Sequence, residues 1–308
     1  MLSGDGLLFS EQEFIKRFAG IRVWKRGDRR APHKPLLILF MLGRVQRKEP
    51  RMVSYSEVVE PLQRLLDDFG PPRRSSPAYP FYHLASDGIW EFSLPGAFSI
   101  VGSPSDRFLL DNKVSGGFSE DIYAGLMDNP GLIRTIALNV LNESFPRSLH
   151  SEILLAAGLE LEAAEVDVGG ILHSRSRDSE FRERILVAYS FRCAVCGFNV
   201  WLGRVPVGLE AAHIKWHQAG GPDQEDNGLL LCIMHHKLFD RGAFSIDQNL
   251  KVKVSDMAHG GEGFQEWLAR FHGKSIRLPE RLQYKPSENY LDWHIREVFR
   301  GSSKYSAG

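Results

Sequence analysis

Disulfide scaffolding, membrane spans and a dominant charge are all absent from this 308-residue chain. No apolar run reaches 18 residues, so no transmembrane helix and no membrane partner are expected. The opening MLSGDGLLFSEQEF has no basic segment leading into an apolar core, so no secretory leader is expected either. Basic and acidic residues balance at 38 each, and net charge therefore gives no general pull toward a polyanion. Internal repeats and low-complexity tracts are missing. Cysteine is scarce, with three in all. All three take metal-ligand spacing, which suits a reducing cytoplasm better than an oxidised scaffold.

What is present is unevenly placed. Between Lys16 and Arg51 lie 12 lysines and arginines and only two acids, Asp28 and Glu49. Between Glu152 and Asp167 every charge is acidic. A basic stretch on a neutral chain fits contact with nucleic-acid phosphates. The length suits about two domains, and composition changes at Glu160–Arg177, from acidic to Gly169-Gly170 to polar and basic. Domains are therefore expected over 1–165 and 181–308, with a linker at 166–180.

In the first domain the sequence predicts a helix over 7–20 with Ser10 as its N-cap, and a second opening at Pro35 and running through Leu36–Val45. Gly70–Pro77 reads as a loop. Tyr79–Leu84 and Ile89–Phe92 read as two strands of a hairpin turning at Ser86-Asp87-Gly88. Helices are expected at Ser119–Leu126 and Leu132–Leu141, parted near Asn129-Pro130-Gly131. In the second domain a helix over Asp178–Tyr189 leads to the cysteines, and Phe244–Val254 reads as a hairpin turning at Asp247–Asn249. The expected class is α+β: a mostly helical first domain with a small sheet, and a zinc-braced second domain.

The cysteines carry the chemistry. Cys193-Ala-Val-Cys196 and Cys232-Ile-Met-His235 are two pairs with two-residue gaps. Such gaps aim both side chains at one ion, and four ligands complete a tetrahedral zinc shell. Around the pairs lie His213 at the end of an expected strand, Leu209–Ile214, then Asn227 in a Gly/Pro/acid-rich loop, and His236 with Asp240 one helical turn later. A neutral histidine can take a proton from water at neutral pH, which suits His213. His236 and Asp240, on one helix face, suit a divalent cation that stabilises phosphate charge. Asn227 suits fixing the loop, or holding the His213 ring through its amide or backbone carbonyl. His235 and His236 point about 100° apart on a helix, so one can face the zinc and the other the reacting phosphate.

The order of these residues over Phe191 to Ile246 resembles the HNH (ββα-metal) endonuclease family. The resemblance implies a structural Zn²⁺ held by Cys193, Cys196, Cys232 and His235, a catalytic Mg²⁺ or Mn²⁺ held by His236 and Asp240, and catalysis by His213, Asn227 and His236. Many members carry Asp or His as a metal ligand just before the base; here Ala212 stands there.

The strings Ala31-Pro-His-Lys-Pro-Leu-Leu-Ile-Leu39, Tyr79-Pro-Phe-Tyr-His-Leu84 and Asp87-Gly-Ile-Trp90 are similar to the sulfur-binding domain that precedes an HNH domain in phosphorothioate-dependent (type IV) restriction endonucleases. That domain implies binding to double-stranded DNA in which sulfur replaces a non-bridging phosphate oxygen. A pocket without hydrogen-bond donors makes an ordinary phosphate oxygen lose water uncompensated, at about 1–3 kcal/mol. Sulfur loses less and packs on rings. Tyr79, Pro80 and His83, with Pro32, would form the pocket wall. His33, Lys34, Arg29, Arg30, Arg73 and Arg74 would meet the DNA backbone. The expectation is a modification-dependent endonuclease acting as a homodimer, since two strands need two sites. Two alternatives are an HNH nuclease for methylated or unmodified DNA, and a DNA-binding regulator that does not cut.

Overall fold

The computed structural model describes residues 10–21, 28–93, 102–161 and 180–301. The basic residues Arg22, Lys25 and Arg26, Trp24, and all of the expected linker but residue 180 lie outside them. Two compact units form. One takes Met1–Arg26, Ala31–Ser144 and His150–Val166; the other takes Gly27–Arg30, Phe145–Leu149 and Asp167–Gly308. No helix of the described residues is long and apolar enough to cross a membrane.

The first unit is built around one buried helix. Its helices are α1 (Glu11–Ala19), α2 (His33–Gln46), α3 (Tyr55–Phe69), α4 (Ala78–His83), α5 (Asp106–Asp111), α6 (Glu120–Asp128), α7 (Pro130–Ser144) and the 150–157 part of α8 (Arg147–Ala157). The run Leu36–Leu42 is apolar on every side, and α2 is correspondingly buried on every side, against α3, α4, α6 and α7. Leu36, Leu37, Leu39 and Leu42 are fully buried, each contributing roughly 1.5–3 kcal/mol against exposure. Ser10 begins α1 through a reciprocal cap with Glu13.

The small sheet has the order β1 (Val53–Ser54), β3 (Ser115–Phe118), β2 (Trp90–Ser93), all antiparallel. The predicted hairpin over 79–92 does not form. Tyr79–Leu84 is helical, continued by a 3₁₀ turn at Leu84–Asp87, and Trp90–Ser93 pairs with Ser115–Phe118 instead. The aromatic alternation of the segment favours strand, but Pro77 and Pro80 fall at the N-cap and in the first turn of α4, where a missing N–H costs nothing. Phe81 then turns inward against Tyr55 and Trp90 at 4.9 and 5.4 Å. Gly116 makes room for this: a Cβ there would lie 2.7 Å from Phe81 and 2.8 Å from Trp90. The predicted helices on either side of Asn129 and the helix beginning near Pro35 are present.

The second unit begins with a helix over residues 180–188 (α9). A ribbon of β4 (Val200–Leu202) and β5 (Val205–Val207) follows the first cysteine pair. Then comes the hairpin β6 (Leu209–His213) and β7 (Gly228–Cys232), with His213 opposite Gly228, leading into α10 (Ile233–Asp240). The predicted second hairpin is β8 (Phe244–Ile246) with β9 (Val252–Val254). Helices α11 (Glu262–Trp267) and α12 (Glu288–Glu297) close the unit. Leu229, Leu230 and Leu231, fully buried with Phe181, Ile185, Phe239 and Phe244, form its core, so β7 is fixed on both faces.

Candidate functional site

Three sulfurs and one imidazole nitrogen converge at the start of α10. The ligand atoms of Cys193, Cys196, Cys232 and His235 all lie within 4.8 Å of one another. His235 Nδ1 is 3.1 Å from Cys232 Sγ and 3.8 Å from Cys193 Sγ, and Cys196 and Cys232 Sγ are 4.0 Å apart. A tetrahedral ion at about 2.3 Å from each sulfur requires sulfur–sulfur edges of about 3.8 Å, so the donor set fits one cation. Hydrogen bonds from Cys196 and Cys232 hold the Cys193 thiol far below its ordinary range, while Cys193 and Cys196 push Cys232 up. Burial lowers the His235 pKa, but the Cys193 and Cys196 sulfurs outweigh it and raise it to about 9. So dense a group of soft donors answers to a positive ion.

Strand β6 ends at His213, whose ring stacks on Phe181 of α9 at 4.2 Å and 15°. Its Nε2 lies 2.8 Å from Asp223 Oδ1, and His217 is the next imidazole, at 6.2 Å. Asn227 is fully buried. Its Oδ1 accepts from Lys215 N at 2.8 Å, and its Nδ2 donates to Lys215 O and Pro222 O at 3.0 and 2.9 Å. Its backbone carbonyl accepts from Ile214 N at 2.9 Å. Of the two roles open to Asn227, its side chain takes loop fixing, and it fixes the residues on both sides of His213's loop. Gly221 permits this closure, since a Cβ would sit 1.9 Å from Lys215 O and 2.9 Å from Asn227 Nδ2. Arg184 completes the frame, donating to Asp223 O and pairing with Glu225.

His236 faces carboxylates with both ring nitrogens. Nδ1 is 2.7 Å from Glu210 Oε2, and Nε2 is 3.1 Å from Asp240 Oδ2. Burial lowers its pKa, but Asp240 first and then Glu210 outweigh it and hold it up to about 10. The two carboxylates lie at opposite edges of the ring, so Nε2 and Asp240 can face one divalent cation while Nδ1 keeps its contact with Glu210. Asp240 is nearly inaccessible, at 3%, while Glu210 is partly exposed. Glu210 was missed in the sequence. The signal available was weak: it stands two residues before Ala212 on the same strand face, the face from which the usual carboxylate is lacking.

On the first unit, the expected pocket residues partly assemble. Tyr79, 37% exposed, stands between His33 at 6.0 Å and His83 at 4.5 Å, ring centre to ring centre. His33 Nε2 is 2.9 Å from Ser75 Oγ, and His83 Nε2 is 2.7 Å from Ser103 Oγ. Pro32 and Pro80 are buried. Asp106 anchors the segment before α4, accepting from Tyr55 OH, from Ser76 Oγ at 2.9 Å and from Ala78 N at 3.2 Å. Arg29, Arg73 and Arg74 are exposed.

Two of the expected DNA contacts are buried. Lys34 is buried, with Nζ 2.6 Å from Asp87 Oδ2; its charge is neutralised within the fold. Arg30 is buried in the second unit, its guanidinium 3.8 Å over the Trp216 ring.

Residues 11–162 match the family model described as ScoMcrA-like, DNA sulfur-binding domain, and residues 193–247 match that of the HNH endonucleases. Three solved structures are similar. The sulfur binding domain of ScoMcrA complexed with phosphorothioated DNA is 22% identical, with 48% of this chain and 98% of that chain covered and a TM-score of 0.42. The sulfur binding domain of SprMcrA complexed with phosphorothioated DNA is 19% identical, with 49% and 95% covered and a TM-score of 0.42. The type IV phosphorothioation-dependent restriction endonuclease ScoMcrA is 22% identical, with 51% of this chain and 28% of that chain covered and a TM-score of 0.41. No curated protein matches. The chain thus carries a DNA sulfur-binding domain followed by an HNH endonuclease domain, and it is a nuclease.

Proposed function

We propose that a chain joining these two domains is a phosphorothioate-dependent restriction endonuclease, which binds sulfur-marked double-stranded DNA and hydrolyses a phosphodiester nearby. The observation that carries this reading is the β6–β7–α10 unit, where His213 and His236 are each fixed by neighbours, in a chain that also carries the Tyr79 aromatic row. The His213 imidazole accepts the proton of the attacking water. Phe181 holds its plane, Asp223 its rotation, and Asn227 the loop around it. His236 through Nε2, with Asp240, would hold Mg²⁺ or Mn²⁺, and Glu210 at Nδ1 would orient the ring; such a cation would stabilise charge developing on the phosphate and the leaving oxygen. Cys193, Cys196, Cys232 and His235 would hold Zn²⁺ as a brace. Tyr79 and the rings beside it offer the sulfur an apolar, donor-poor surface, with Arg73 and Arg74 holding flanking phosphates. A double-strand break requires two such sites, so the cutting species is a homodimer, working in the cytoplasm.

The test uses twin plasmids, with and without phosphorothioate, incubated with Mg²⁺ or Mn²⁺. Cleavage confined to the marked plasmid is expected. Replacement His213→Ala should abolish cleavage and leave binding intact. Equal cutting of both plasmids would remove the sulfur specificity; a His213→Ala protein that cuts normally would remove the catalytic assignment.

A further inference from the structure

We propose that His83 is a specificity-determining residue for the sulfur mark, and that it discriminates only as the neutral imidazole. This rests on the sulfur-recognition reading above and adds to it which side chain decides between sulfur and oxygen, and in which protonation state.

The geometry is that of a sealed flank. The His83 ring lies against Tyr79 at 4.5 Å and Tyr82 at 5.1 Å, and Tyr82 in turn meets Phe92 at 5.5 Å. The Nε2 atom is engaged by Ser103 Oγ at 2.7 Å. His33 occupies the other side of Tyr79, engaged by Ser75. Among the described residues, the charged groups acting on His83 are Lys34 from α2 and Asp87 from the turn after α4, and these two are bound to each other at 2.6 Å. Burial comes first, and Lys34 second, in holding the His83 pKa below its ordinary value; Asp87 pulls the other way and does not prevail. At neutral pH the ring therefore carries no charge.

Selectivity for sulfur is a difference between two affinities. A phosphate and a phosphorothioate carry the same charge, so a cation close by attracts both. The smaller, harder oxygen makes the stronger charge-assisted hydrogen bond. In the tautomer whose Nε2–H donates to Ser103 Oγ, Nδ1 can only accept, so the neutral ring gives the oxygen nothing in return for its lost water, and sulfur is preferred. Protonation makes both ring nitrogens donors and adds a positive charge. The oxygen then recovers what it lost, and the preference falls although binding to DNA as a whole strengthens.

The experiment measures the affinity of the full chain for paired duplexes, one with a single phosphorothioate and one without, from pH 8 to pH 5.5, for the wild type, His83→Phe and His83→Arg. The phosphorothioate is anionic throughout. The wild type should prefer sulfur by about tenfold or more at pH 8, the factor made by 1.4 kcal/mol, and should lose that preference progressively as the pH falls below the ordinary histidine range, chiefly through tighter binding of the unmarked duplex. His83→Phe should keep its preference at every pH, and His83→Arg should show little at any. A wild-type preference that does not change with pH overturns the inference while leaving sulfur recognition standing. So does a pH dependence that survives in His83→Phe, which would place the titrating group elsewhere, with His33 the neighbour in line. No preference at any pH removes the sulfur reading itself.

Discussion

His294 shows how much of the second unit's integrity hangs on single side chains. It is fully buried on α12, stacked on Phe239 at 3.7 Å, with Nδ1 2.9 Å from Ser245 Oγ and Nε2 3.1 Å from the Phe239 carbonyl. That carbonyl can only accept, so Nε2 carries the hydrogen and the Ser245 hydroxyl donates to Nδ1. Burial pushes the pKa down to about 3, against about 6.5 in an unfolded chain. The unfolded chain therefore takes up its proton first as pH falls. The contribution of His294 is complete above pH 6.5 and is lost progressively between 6.5 and 3, by about 2 kcal/mol between pH 7 and pH 5. Urea unfolding of the second unit should show this slope, and His294→Phe, which keeps the stack and cannot titrate, should flatten it. An equal slope in the variant would assign the titration to other groups.

At the scale of elements, β7 and α10 meet at Cys232, which caps the helix and belongs to the four-donor cluster. Removing the proposed ion or one thiol should do more than loosen a loop. Structural zinc binding is worth about 10–16 kcal/mol in small domains, comparable with or above the roughly 5–15 kcal/mol that holds a whole domain together. Cys193→Ser, or a strong chelator, should abolish the unfolding transition of the second unit and with it cleavage, with zinc measured in the wild-type protein at one ion per chain. A sharp transition retained in the metal-free protein would show that the hydrophobic core alone suffices. These elements were legible in the sequence because their signals are local: paired ligands at fixed spacing, a strand ending in histidine, a helix after the second pair. The segment 79–84 was not, because aromatic β-formers spoke for strand while two prolines and the packing of Phe81 decided for helix. The burial of Lys34 was not legible for a different reason. Its partner Asp87 is 53 residues away, and no local pattern announces such a burial. Glu210 stayed hidden for lack of any motif at its spacing.

For the whole molecule, the balanced charge of 38 against 38 means that DNA attraction must come from local arginines. Arg73 and Arg74 are exposed, and Arg30 and Lys34 are buried. Replacing both Arg73 and Arg74 with Ala should weaken marked and unmarked DNA alike. It should also flatten the plot of log affinity against log salt by about 0.9 for each phosphate no longer neutralised. A change confined to marked DNA would instead place these arginines in the sulfur pocket.

Asn227 donates and accepts only to backbone, at Lys215, Pro222 and Ile214. A peptide segment stitched at both ends is a poor hinge. In the proposed reaction the strand that presents His213 would therefore meet its phosphate with the loop already set, its alignment completed during folding and not on arrival of the substrate.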